Sequence, residues 1–93
     1  MNKKSNDLLQ KTTIVNELGL HARAAAKIAH LAANANKKIW IINDTEKIDA
    51  SSIIDILTLG CAKGTRITFE AENETDIDIL NHIIILVENG FGE

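Results

Sequence analysis

Between Ala22 and Ala35 the chain is dominated by alanine, the best helix former, and its polar residues fall at Arg23, Lys27, His30 and Asn34. That spacing draws one solvent-facing stripe along a helix and leaves Ala25, Ile28, Ala29, Ala32 and Ala35 to pack inward. An alanine face is shallow, so the helix has to lie close to whatever covers it, and a sheet is the expected cover. The rest of the core must then be aliphatic. Aromatic residues are 3% of the chain (Trp40, Phe69 and Phe91), while hydrophobic residues reach 45%, enough for a globular core. With 93 residues there is room for one such core and no second.

The segments around the helix read as short strands and two further helices. Leu8 to Val15 has the β-branched residues and alternation of a first strand, and Asn16 to Leu20 follows as a loop containing Gly19. Ile39 to Ile42 is an apolar strand that turns at Asn43-Asp44 into a hairpin partner, Lys47 to Ala50. Ser51-Ser52 offers an N-cap to a short helix, Ile53 to Leu59, which Gly60 ends. In Arg66 to Ala71 the alternation is clean, with Ile67, Phe69 and Ala71 on the buried face. Thr75, with Asp78 three residues on, resembles a capping box for a last helix that runs to Asn89 and closes at Gly90. The order β-α-β-β-α-β-α predicts an α+β open-faced sandwich: a four-stranded antiparallel sheet with three helices on one face. Residues 8–93 form this single domain, and residues 1–7 are a short polar tail.

Charge and cysteine content remove several functions. Ten Lys and Arg stand against 13 Asp and Glu, for a net charge of -3, which argues against a basic surface for nucleic acid or anionic membrane. Trp40 is the one plausible stacking residue in a strand, so an RNA-binding reading fails on aromatics as well. No apolar run approaches the ~20 residues of a membrane span, and nothing near Met1 resembles a targeting segment, so a soluble cytoplasmic protein is expected. Cys61, alone, permits no internal disulfide and no cysteine-cluster metal site; it reads as a small, partly buried loop residue. No metal and no cofactor is called for.

Of the three histidines, His30 lies on the polar stripe and reads as solvated, and His82 falls at the edge of the last helix's apolar face. His21 differs. It stands at the junction of the Gly19 loop and the alanine helix, at or next to the N-cap, where unpaired backbone N–H groups and the positive end of the macrodipole form an anion site. An imidazole there is disfavoured as a cation and so is held nucleophilic. Arg23 follows as a fixed charge able to meet a phosphoryl group. On spacing alone, His21 could equally be nothing more than a capping residue.

The string Gly19-Leu20-His21-Ala22-Arg23-Ala24-Ala25 closely resembles the active-site signature of the HPr family, the histidine-containing phosphocarriers of the bacterial phosphoenolpyruvate-dependent phosphotransferase system. Ser51 to Gly64 is similar to that family's second segment, and Asn89-Gly90-Phe91 resembles the branch that serves nitrogen-related regulation. The resemblance covers roughly Leu8 to Glu93 and implies a stoichiometric carrier, not an enzyme in its own right. It implies that His21 takes a phosphoryl group from phosphorylated enzyme I on Nδ1 and passes it to an enzyme IIA domain in sugar uptake. A regulatory or otherwise non-transporting phosphotransfer branch is the alternative. It also implies that the Ala22 and Arg23 backbone amides hold the phosphoryl oxygens while the Arg23 guanidinium balances charge.

Ser52 matches the serine that regulatory members present to a dedicated kinase and phosphorylase, but it is equally the favoured N-cap of its helix. Ser51 stands where many relatives have lysine, and Asp55 replaces a small residue, so the surface a kinase would read is altered. The short helix is apolar almost all round, and Ile54 and Leu57, with Leu20 beside His21, are the expected partner-docking patch. Ile53, Ile56 and Leu59 are expected to be shared with the core. A monomer is expected, with dimerisation through that patch as the competing reason for its apolarity. Ala24 takes the place of the proline most relatives carry in the helix's first turn, and this chain has no proline at all.

Overall fold

The computed structural model describes residues 7–93; most of the predicted polar tail, residues 1–6, lies outside the described residues. Strands β1 (Leu9–Thr13), β2 (Ile39–Asn43), β3 (Glu46–Asp49) and β4 (Arg66–Ala71) alternate with helices α1 (Ala22–Ala32), α2 (Ile53–Leu59) and α3 (Ile77–Glu88) in the predicted order. The strands form one antiparallel sheet in the order β1-β4-β2-β3. β4 is therefore central, which fits its being the strand with strict alternation: Ile67, Phe69 and Ala71 are buried. Register aligns Thr12 with Ile67 and Ile41 with Phe69, so one face of the sheet is apolar and carries the helices. The other face is open.

Element ends differ from the sequence reading by the reach of the ladder. β1 is shorter than Leu8 to Val15, although Ile14 still bonds the loop before β4, its amide donating to the Thr65 carbonyl and its own carbonyl accepting from the Gly64 amide. α1 stops at Ala32 and not Ala35, and β3 is Glu46–Asp49 and not Lys47 to Ala50. The alanine face does what small residues allow: Ala24, Ala25, Ala29 and Ala32 are buried, and α1 also runs beside α2 and α3.

Thr75 is not the cap of the last helix. Asn73 Oδ1 accepts from the Thr75 amide at 2.9 Å and starts a 3₁₀ turn, Glu74–Asp76, from which α3 continues. The turn places Asp76 in the interior, with no exposed surface. Both its carboxylate oxygens accept backbone amides at 2.8 Å, from Asn36 and from Lys37. A buried carboxylate satisfied by two amides fixes where the chain leaves α1 and enters β2. Sequence pattern gave no hint of this, because the partners lie about 40 positions away in the chain. Among the described residues no helix is long and apolar enough to cross a membrane, and no group of three or more His, Cys, Asp or Glu could hold a metal ion.

Candidate functional site

The loop between β1 and α1 is held in place by backbone contacts to the loop between α2 and β4. Gly19 has φ +64, and a Cβ there would lie 2.5 Å from the Cys61 carbonyl oxygen. Glycine is the residue that lets the loop sit this close to its neighbour with a left-handed backbone. The next amide, Leu20 N–H, donates to that same Cys61 oxygen at 2.9 Å. Glu17 and Lys63 add an ion pair across the same two loops, worth little by itself because it is exposed. The end of α2 is thus tied to the residue that precedes His21.

This packing corrects the expected docking patch. Leu20 is 4% exposed and belongs to the core, its N–H hydrogen bond to the Cys61 carbonyl holding the loop inward. Ile54 and Leu57 are exposed as expected; Ile53 is exposed too, rather than shared with the core, and only Ile56 of this helix is fully buried. From the Gly19 loop it is Leu18, 70% exposed, that stands out on the surface. Simple alternation would put Leu18 and Leu20 on one side; the left-handed Gly19 between them, φ 64, separates them. Cys61 is buried, and burial first, then the Glu46 charge, pushes its thiol up, away from reactivity.

His21 is the N-cap of α1, with an extended backbone (φ -73, ψ 177), and its carbonyl accepts the first helical bond from Ala25 N–H at 2.8 Å. Its ring Nδ1 accepts from the Arg23 amide at 3.3 Å, so this nitrogen faces the unpaired amides of the first turn. Arg23 and Ala22 are exposed on that turn. The other ring nitrogen, Nε2, meets the side-chain carboxylate of Glu93. Nothing in the sequence reading brought Glu93 here. The chain after α3 passes through three left-handed residues in succession, Gly90 (φ 64), Phe91 (φ 60) and Gly92 (φ 77), and so doubles back toward α1. Phe91 is buried and its carbonyl accepts from Lys27 Nζ at 2.7 Å, which pins the turn to α1. A glycine on each side of an aromatic was the available signal, since such a string suits a tight reversal.

Asn16 completes the frame. Its Nδ2 donates to the Gly19 carbonyl at 2.8 Å and to Glu93 Oε1 at 3.1 Å, so both carboxylate oxygens of Glu93 are engaged. The His21 hydrogen bond, then the Asn16 one, hold the Glu93 carboxyl below the usual glutamate range despite some burial, with the His21 and Arg23 charges adding to the effect. His30 and His82 are exposed and stand apart, one within α1 and the other within α3.

Ala24 is fully buried in the first turn, one residue before the amide that opens the helical ladder. A proline there breaks no i to i−4 bond. Ala24→Pro is expected to fold with an unfolding free energy within about 1 kcal/mol of the parent's. Loss of the folded state on urea titration would show that this chain enters α1 differently from its relatives.

The fold is an open-faced α+β sandwich with a histidine ring nitrogen at the N-terminus of its first helix. Comparison with known proteins agrees. The family model described as "PTS HPr component phosphorylation site" matches residues 9–89. The chain is 35% identical over 86 residues to the phosphocarrier protein HPr of Cupriavidus necator, covering 92% of this chain and 97% of that protein. It is 36% identical over 85 residues to the phosphocarrier protein NPr of Klebsiella oxytoca, covering 90% and 94%. The crystal structure of HPr-C-His from Thermoanaerobacter tengcongensis superimposes with a TM-score of 0.86 at 33% identity, over 91% of this chain and 96% of that one. The chain belongs to the HPr family of phosphocarrier proteins of the phosphotransferase system, and is a carrier and not an enzyme.

Proposed function

We propose that His21 accepts a phosphoryl group from phosphorylated enzyme I and donates it to an enzyme IIA domain in sugar uptake, acting as a cytoplasmic monomer. The observation that carries this reading is the orientation of Nδ1 at the N-cap, toward the Arg23 amide. The Nδ1 lone pair attacks phosphorus in line, the bond from phosphorus to the donor breaks, and its electron pair leaves with the donor. The Arg23 amide, released from Nδ1 when that lone pair forms the new bond, turns with the Ala22 amide to the phosphoryl oxygens. The Arg23 guanidinium balances their charge. Such transfer rests on positioning and electrostatics, because the transition state is loose and offers the protein little covalent chemistry. Donation to the acceptor is the same path reversed.

The exposed side chains of Ile54 and Leu57, extended by Ile53 and Leu18, form the docking surface in this reading. A second reading, a regulatory branch of the kind NPr proteins represent, is supported by the 36% identity to the Klebsiella oxytoca NPr, matching the 35% to an HPr. Labelled phosphorylated chain offered separately to an enzyme IIA of each branch distinguishes them. Faster transfer to the sugar-specific domain supports the first reading, and transfer to the nitrogen-related domain alone supports the second.

Ser52 caps α2, its Oγ accepting from the Asp55 amide at 3.2 Å. A kinase acting on Ser52 would place ~1.5 to 2 negative charges beside Ile54. Ser52→Asp, which keeps an N-cap acceptor, is expected to slow acceptance of phosphate from enzyme I roughly tenfold, read as the initial rate of labelling. Unchanged kinetics would count against regulation at this residue.

A further inference from the structure

We propose that Asp55 is a specificity-determining residue for the phosphoryl acceptor, selecting an enzyme IIA domain whose docking face presents a lysine or arginine opposite it. The proposal rests on the docking surface read above and deepens it by naming the chemistry of the partner's side.

Asp55 is the one charged residue of α2. Successive side chains of a helix stand about 100° apart, which places Ile54 in the middle of the arc that α2 exposes. Ile53 and Leu57 flank it on one side, and Thr58 and then Asp55 flank it on the other. Ile54 is 75% exposed, and Asp55 is exposed next to it. A surface that covers Ile54 therefore comes to lie against the carboxylate.

Three residues after the Ser52 cap, Asp55 holds the place of the acidic member of a capping box, whose carboxylate would accept the Ser52 amide. That return bond is not made. The Ser52 amide donates to the Asp49 carbonyl at 3.1 Å, and the contact between the two residues runs only from the Asp55 amide to Ser52 Oγ, at 3.2 Å. Among the described residues no cation pairs with Asp55, whereas Asp49 has Lys38, Glu70 has Lys47 and Glu17 has Lys63. A carboxylate covered by a partner without a matching charge loses water for nothing and weakens docking. Met by a cation, it speeds encounter and rejects any partner with an anion at that point. The rest of the exposed arc is apolar or neutral, so this single charge sets the sign of the helix face, and the net charge of -3 favours the same partner at long range. Negative charge added at Ser52 is expected to slow loading by enzyme I, so the cation belongs to the acceptor and not to the donor.

The test loads the wild type, Asp55→Asn, Asp55→Lys and Ile54→Ala to completion with enzyme I, then measures transfer to enzyme IIA domains of the sugar-specific and nitrogen-related branches. With the acceptor that the wild type prefers, Asp55→Lys should raise KM on the order of tenfold at low salt and leave the maximal rate unchanged, with Asp55→Asn between the two. The difference should shrink as salt is added, because exposed charges are screened. A carboxylate that only steadied the first turn of α2 would shift the urea midpoint and leave KM indifferent to salt. Equal KM values for wild type and Asp55→Lys, an effect confined to the maximal rate, or a difference that salt does not change would overturn the proposal. Ile54→Ala separates it from the docking reading. A raised KM in Ile54→Ala with none in Asp55→Lys overturns the proposal alone, and an unchanged KM in Ile54→Ala overturns the docking surface and the proposal with it.

Discussion

His21→Ala is expected to take up no phosphate from phosphoenolpyruvate and enzyme I, a loss of more than about 10⁴-fold against the parent, the scale of removing a nucleophile. The loss should be chemical and not structural. His21 contributes one cap contact, from Arg23 N–H at 3.3 Å, and forfeiting an N-cap costs only about 1 kcal/mol. His21→Asn serves as the control, since asparagine restores a capping oxygen but offers no ring nitrogen. Both variants should unfold cooperatively near the parent's midpoint, and neither should carry acid-labile phosphate. Label retained in either would place the phosphoryl group elsewhere.

Gly19→Ala should damage the site from a distance. Its backbone is left-handed at φ +64, and the added methyl would sit 2.5 Å from the Cys61 carbonyl oxygen, well inside contact distance and against backbone. Either the loop rotates, breaking the bond from Leu20 N–H to that oxygen, or the loop after α2 moves away. Positive φ and the forced shift together are expected to cost about 3 kcal/mol, measured as the change in unfolding free energy by urea titration. Because Asn16 holds both the Gly19 carbonyl and Glu93, the same shift should loosen His21 and slow phosphoryl acceptance in the protein that remains folded. An unchanged midpoint would mean the two loops are not the rigid support described here.

These two glycine and histidine effects mark how far the sequence could be read. Elements stood out wherever a period was strict: β4 by its alternation, α1 by its polar stripe, α2 by the Ser52 cap and the Gly60 stop, whose φ is 67. His21 was legible because its position at a loop-to-helix junction and its neighbours Gly19 and Arg23 are contiguous. What pattern could not reach was contact between distant segments. Leu20 looked available for docking until its amide was found bonded to Cys61, and Thr75 looked like a cap until Asn73 was found to cap its own turn. Glu93 lies 72 positions from His21, and Asp76 lies 40 and 39 positions from the amides it holds. No local periodicity encodes such pairings. They depend on where the left-handed run from Gly90 to Gly92 and the 3₁₀ turn before α3 send the chain.

Ala24, where the resemblance to the family signature implies a proline, also gains a physical meaning. Ala24 is wholly buried, so the first turn is held by packing. Rigidity around His21 then comes from tertiary contacts: Leu20 to Cys61 on one side, and Glu93 with Asn16 on the other.

The most direct test of the account is to phosphorylate the wild-type chain with enzyme I and phosphoenolpyruvate and locate the phosphate by 31P and ring 15N NMR. The account predicts one acid-labile phosphoramidate, bonded to Nδ1 of His21, with the proton remaining on Nε2. Phosphate on Nε2, on another residue, or absent altogether would contradict it.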